Sequence, residues 1–350
     1  MGSNGRAVCL AFVAALLFGL STPAAKLFVL RADPWLTAGL FYLGAGLGLG
    51  AVWLVRRVTG GQREALPRRA DLPWLAGAIA SGGGAGPVFL MFGLRQTPAA
   101  HASLLLSLEG VLTVVLAWLV FREHVGARVA LGTGLIAAGA LTLAWEPVEG
   151  ARVDSGALFI AAACLAWAID NNLTRKISGG DPTLLAALKG LVAGPTNLGL
   201  ALLAGTRLPD AGSVIGAGLV GLVGYGVSLV LFIRALRDLG AARTAAYFST
   251  APFLGAVASV VALGDTFTFR LAAAGACMGL GVWLHVSEHH EHDHAHDVLT
   301  HDHLHRHDEH HQHAHETGTA TDEPHAHPHA HAPLRHVHPH YPDLQHRHRD

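Results

Sequence analysis

Charge is the first thing this sequence lacks. Of its 350 residues only 14% are Asp, Glu, Lys or Arg, and the formal net charge at pH 7 is −1. With no basic excess and no arginine–aromatic stripe, the chain offers no nucleic-acid footprint. Cysteine is nearly absent too. Cys9, Cys164 and Cys277 are an odd number at scattered positions, each inside an apolar run, which argues against a disulfide framework or a cysteine metal site. No glycine-rich phosphate loop and no nucleophile–base–acid constellation stands out, so no enzyme active site is read. A small-residue cleavage site is missing after the first apolar run. That run is longer than a signal peptide and is read as a retained first span.

What the chain has is length in its apolar runs. About 20 apolar residues cross the hydrocarbon core of a bilayer. Ten such runs occupy 7–30, 34–58, 72–94, 99–121, 126–145, 155–174, 182–204, 213–236, 241–263 and 268–285. None carries a polar face long enough for a soluble helix. Backbone groups in lipid need partners within their own segment, so the runs are read as helices. The fold class is therefore all-α integral membrane, with the lipid bilayer as an obligatory surrounding.

The stretch 92–143 recurs 142 residues downstream without a gap. Under that offset Arg95 meets Arg237, Ala99 meets Ala241, Ala100 meets Ala242, Ser107 meets Ser249, Glu123 meets Asp265, Arg128 meets Arg270 and Gly139 meets Gly281. Upstream, Gly82 and Gly84 meet Gly224 and Gly226. Apolar coincidences are cheap in such chains, whereas charges and glycines in register are not. The reading is a duplicated five-span unit. The domains are 1–145 as the first repeat, 146–154 as an acidic linker, 155–287 as the second repeat and 288–350 as a tail. Five is odd, so the second unit enters the membrane from the opposite side. The halves are then inverted repeats, an architecture of secondary transporters with the solute site near the midplane. Arginine is richer in the even-numbered loops, including Arg56, Arg57, Arg63, Arg68 and Arg69, which places both termini in the cytoplasm.

Two acidic span ends, FRE at Phe121, Arg122 and Glu123 and LGD at Leu263, Gly264 and Asp265, join the run WAIDNNLTRK from Trp167, then Asp181-Pro182 and Leu188-Lys189. With ten spans in two five-span halves, the chain resembles the EamA family of the drug/metabolite transporter superfamily over about residues 7–287. Phe41 stands where the first half would carry the counterpart of Lys189, so a symmetric basic pair is not carried over. The resemblance implies a bacterial inner-membrane carrier, typically an exporter of amino acids, metabolites or drugs, with a small molecule as its substrate.

Few polar residues lie deep in the spans. Glu109 sits within span four, where a charge costs on the order of 2.5–3.5 kcal/mol. It is read either as a proton-coupling or substrate-amine group, or as a buried carboxyl that only ties helices together. Asp170, Asn171 and Asn172 are consecutive on span six and point about 100° apart, so either one or two line a solute path or the three form a polar cap at the end of the span. Lys189, two turns into span seven, either snorkels to the interface or faces an anionic group or Glu109. His101 reads as an interfacial histidine. Pro23, Pro87, Pro195 and Pro252 interrupt helical bonding within spans, and the runs Gly82-Gly83-Gly84 and Gly221, Gly224, Gly226 suit close helix contact.

The tail is of another composition. Residues 288–350 hold 22 of the 25 histidines, with acids, prolines and few apolar residues. Such a segment buries no core and is expected to be disordered. Alternating His-X-His places many imidazoles at adjustable distance, a ligand set for Zn, Ni, Co or Cu. The candidate ligands are His289, His290, His292, His294, His296, His301, His303, His305, His307, His310, His311, His313 and His315. No cofactor is required for the carrier itself, and a homodimer stays open as an assembly.

Overall fold

A computed structural model describes residues 3–60, 66–121, 126–146, 152–177, 180–239, 244, 247–287, 290–296, 299–305, 325–331 and 334–340. Among these, nine helical stretches are long and apolar enough to cross a membrane, and a tenth apolar helix, Ala251–Leu263, is shorter. The protein is a multi-pass membrane protein. Several helices start where the sequence supplies a capping side chain. Helix α1 covers Ser3–Val29, and α2 covers Pro34–Val58 with the Asp33 carboxylate accepting from the Trp35 and Leu36 amides. The third span is composite: α3 (Leu72–Ala78), a seven-residue π-helical segment (Ile79–Ala85) and α4 (Gly86–Gln96).

The fourth span is broken. Helix α5 (Ala99–Leu105) stops at a turn over Leu106 and Ser107, and α6 (Leu108–Phe121) continues. The first half closes with α7 (Ala127–Ala144). A two-residue pairing of Trp145–Glu146 (β1) with Arg152–Val153 (β2) leads to the second half. There α8 covers Ser155–Arg175 and α9 covers Pro182–Leu203, capped by Asp154 and Asp181. The eighth span is again composite: α10 (Ala211–Val220), a π-helical segment (Gly221–Val227) and α11 (Ser228–Leu239). Helix α12 is Ala251–Leu263 and α13 is Phe269–Val286.

The duplication seen in the sequence reappears in the backbone. The two π-helical segments have equal length and begin 142 residues apart, at Ile79 and Gly221. The turn before α12, at Ser249 and Thr250, is displaced by only one position from the counterpart of the Leu106–Ser107 turn. Packing follows the same exchange. Helix α2 packs on α9, and α7 on α13. The pair α4–α8 is matched by α11–α1, the pair α6–α8 by α12–α1, and each π segment packs on the second span of the other half. For these pairs, exchanging the halves exchanges the contacts.

Small residues make this packing close. A Cβ added to Gly190 would sit 2.5 Å from the Gly46 nitrogen and 2.5 Å from the Tyr42 carbonyl oxygen, which is backbone and cannot yield. Inserting a methyl into a packed interface costs ~1–3 kcal/mol. Gly190→Ala is expected to lower the thermal midpoint of the purified protein by that measure. Gly199→Ala meets no atom within 4 Å and should leave the midpoint unchanged.

In the tail, His290–His296 (β3) pairs antiparallel with Leu334–His340 (β6), and Leu299–His305 (β4) with His325–His331 (β5). Alternation of His with a second residue has the two-residue period of a strand. A sequence that buries no core can thus still pair its backbone groups.

Candidate functional site

The third span brings its π segment against α8 and α9, and the polar residues of the second half gather there. A π turn leaves carbonyls out of the regular ladder, and such segments frequently mark functional sites. Here three carbonyls of the segment accept from side chains. Gly82 O accepts from the Tyr42 hydroxyl at 2.8 Å and from Trp167 Nε1 at 3.0 Å. Asn197 Nδ2 donates to Gly83 O at 3.3 Å and to Gly84 O at 3.4 Å. Gly82 is required for a second reason: any Cβ there would run into the Asp170 carboxylate.

Asp170 is the centre of this cluster. Its Oδ1 lies 2.6 Å from Lys189 Nζ and accepts from the Thr174 hydroxyl at 2.7 Å, while Lys189 also donates to Thr174 Oγ1 at 2.8 Å. Both charged side chains are largely buried, 14% exposed for Lys189 and 12% for Asp170. Buried opposite charges persist when paired and hydrogen-bonded, and this triangle meets both conditions. Lys189 therefore faces an anionic group rather than snorkelling to the interface, and the group is Asp170.

Glu109 is placed differently from its central position in an unbroken span. The turn at Leu106 and Ser107 makes it the second residue of α6, in the first turn of a new helix. Unsatisfied amides and the helix dipole favour an anion there. The Cys164 thiol lies 3.7 Å from Leu105 O and 3.9 Å from Leu106 O, the latter also accepting from the Glu109 amide at 3.1 Å. The Glu109 carboxylate is half-buried and accepts from Asn171 Nδ2 at 2.8 Å. It has no basic partner among the described residues. The three consecutive polar residues of α8 thus diverge. Asp170 goes to Lys189 and Asn171 to Glu109, while Asn172 returns to its own helix, bonding Ala168 O at 2.8 Å.

Aromatic rings border the same region. Tyr42, which lies within electrostatic range of both Asp170 and Glu109, has its ring centroid 5.9 Å from that of Tyr225 in the other π segment. Tyr225 in turn meets Phe18 and Phe41, each at 5.9 Å, and Phe18 meets Phe248 at 5.5 Å. Two carboxylates, one ammonium, two amides and a ring cluster gather here, with one carboxylate already paired to the ammonium.

Sequence reasoning singled out the charged and amide residues but passed over Thr174, Tyr42, Trp167 and Asn197. Their signal was indirect: the glycine run at 82–84 was read as close helix contact, and its carbonyls proved to be the acceptors. Among the described residues no group of three or more His, Cys, Asp or Glu is arranged to hold a metal. His289, His307, His310, His311, His313 and His315 lie outside the described residues, as do the side chains of His290, His292, His294, His296, His301, His303 and His305. Glu123 also lies outside them.

Comparison with known proteins follows this geometry. A model of the EamA-like transporter family matches residues 5–145 and again 154–287. An uncharacterized transporter of Methanothermobacter thermautotrophicus is 27% identical over 289 residues, covering 77% of this chain and 83% of its own. A protein solved by crystallography shares the fold with a TM-score of 0.59 at 20% identity, over 80% of this chain and 96% of its own.

Proposed function

Because the chain belongs to the EamA-like transporter family, we propose that it is a secondary transporter that exports a small metabolite, amino acid or drug across the inner membrane and couples that movement to protons through Glu109. The observation that carries the reading is the division of labour between two carboxylates. Asp170 is held by Lys189 and Thr174, whereas Glu109 has only the neutral amide of Asn171. A carboxyl free of a fixed counter-ion can exchange a proton, or a cationic group of the solute, without breaking an ion pair. The halves lie in opposite orientations in this reading, with the site between them and both termini in the cytoplasm. A deletion strain challenged with amino acids, drugs and Ni, Co, Zn and Cu salts identifies the solute class. A reporter active only in the periplasm, fused after His285, should stay silent; strong activity would overturn the orientation.

The tail favours a second component. Its 22 histidines form a metal-binding element for Zn, Ni, Co or Cu, through which the chain senses or delivers a transition metal. A dedicated metal transporter or a metal-responsive sensor is the alternative function. Truncation after Ser287 should leave the bundle inserted and remove most Zn or Ni binding by the purified protein. Imidazole ligates when neutral, so binding by the full chain should weaken as pH falls through about 6.5. Isothermal titration at several pH values checks both. Undiminished metal binding by the truncated chain would remove the tail from the function, and transport indifferent to metal and chelator would leave its binding incidental.

A further inference from the structure

The end of the bundle opposite Ser3 and Val286 is closed by contacts that cross between the halves. Helix α12 ends at Gly264, whose φ of 72° is the left-handed turn that glycine adopts without strain. That turn carries Asp265 across to the first half, where its Oδ2 accepts from the Ala100 amide at 2.7 Å. Asp265 thus binds a free amide at the start of α5, 165 residues away in sequence. Lys26, at the end of α1 and within electrostatic range of Asp265, donates to Leu94 O and, at 2.9 Å, to Thr97 O. The Thr97 hydroxyl donates to Asp154 at 2.9 Å, and Ser155 donates to Gln96 at 2.6 Å. The elbow between α4 and α5 is therefore held by both halves at once.

Helix α5 itself is short and delimited. Pro98 precedes it and the Leu106–Ser107 turn follows it, with Glu109 just beyond. It also carries an unusual polar balance. Four buried side-chain atoms lack a hydrogen-bond partner in the protein among the described residues: His101 Nδ1, Ser103 Oγ, Ser107 Oγ and Thr244 Oγ1. Three lie on α5 or in the turn that ends it. The fourth, Thr244, lies ahead of α12, opposite Ala102 under the repeat offset. Buried polar groups are nearly always partnered. Three of the four thus sit on α5 or at the turn that ends it.

We propose that α5 is a gate, hinged at Leu106–Ser107 and latched at its other end by Asp265 and Lys26, and that its release opens a path from this face to Glu109. The gate rests on Glu109 belonging to the transport path, but its opening can be read without any solute. A Ser107→Cys chain in membrane vesicles is treated with a cationic, membrane-impermeant methanethiosulfonate, and labelling is resolved residue by residue by mass spectrometry. Loss of one capping contact should raise the open population, and with it the labelling rate at position 107, by about five- to tenfold. This is expected for Asp265→Ala and for Lys26→Met separately, with Cys9 and Cys277, both away from the hinge, labelled no faster than in the parent. If Asp265→Ala does not fold, Lys26→Met and the milder Asp265→Asn carry the test. An unchanged rate at position 107 in folded latch variants overturns the proposal, and so does an equal acceleration at all cysteines. Solute transport that fails in Glu109→Gln without any change in this labelling would leave the latch standing while defining the coupling separately.

Discussion

Glu109→Gln is expected to abolish proton-driven accumulation while preserving solute exchange. Glutamine keeps the shape of the side chain and mimics a carboxyl that never releases its proton. It can still meet Asn171 across the α6–α8 contact, where the carboxylate now accepts at 2.8 Å. In proteoliposomes, an imposed pH gradient should drive no net uptake of the solute by this variant, leaving it at the level of empty liposomes. Counterflow against preloaded solute should continue. Glu109→Asp should retain part of the driven flux, because it keeps a titratable group one methylene shorter. Normal driven uptake by Glu109→Gln with the same pH dependence as the parent would reduce Glu109 to a tie between α6 and α8.

Lys189→Met should damage the protein itself. The ammonium lies 2.6 Å from Asp170 and 2.8 Å from Thr174 Oγ1, and neither charged partner is more than a seventh exposed. Breaking a buried ion pair by removing one member leaves an uncompensated charge and costs ~3–5 kcal/mol. The expected result is a large fall in the temperature at which the detergent-solubilised protein loses its monodisperse elution. Replacing both members with apolar residues, Asp170→Leu with Lys189→Met, should recover most of that loss, since the pair contributes little beyond satisfying itself. A double variant as unstable as Lys189→Met alone would show that Asp170 has a further partner that this account lacks.

These two carboxylates show how far the sequence could be read. Spans were legible because lipid forces one pattern, long apolar runs, on every helix. Duplication was legible because charges and glycines in register at 142 residues are improbable by chance, and the paired π segments fall on that same offset. The polar residues of α8 were visible as a group, but their separate destinations were not. Asp170, Asn171 and Asn172 differ in role through the neighbours that α6 and α9 bring, and those contacts span up to 62 residues. Nor was the break in the fourth span legible. In the second half Pro252 marks the start of α12, whereas the run LLLSLEG around Ser107 contains no proline. The interruption there is approached from a distance by Cys164. The tail shows the converse. Its composition is that of a segment with few apolar residues, and the two-residue alternation that suggests metal ligands also suits backbone pairing as strands.

Solute-driven proton movement reports on the central claim most directly. Purified protein is reconstituted into liposomes that enclose a pH-sensitive dye, and members of an amino-acid and organic-amine panel are added outside without any imposed gradient. For the transported solute, the full-length chain should produce a sustained change in internal pH that is absent in empty liposomes and absent with Glu109→Gln. Solute entry with no pH change in the parent chain, or an equal pH change in Glu109→Gln, would contradict proton coupling through this carboxylate.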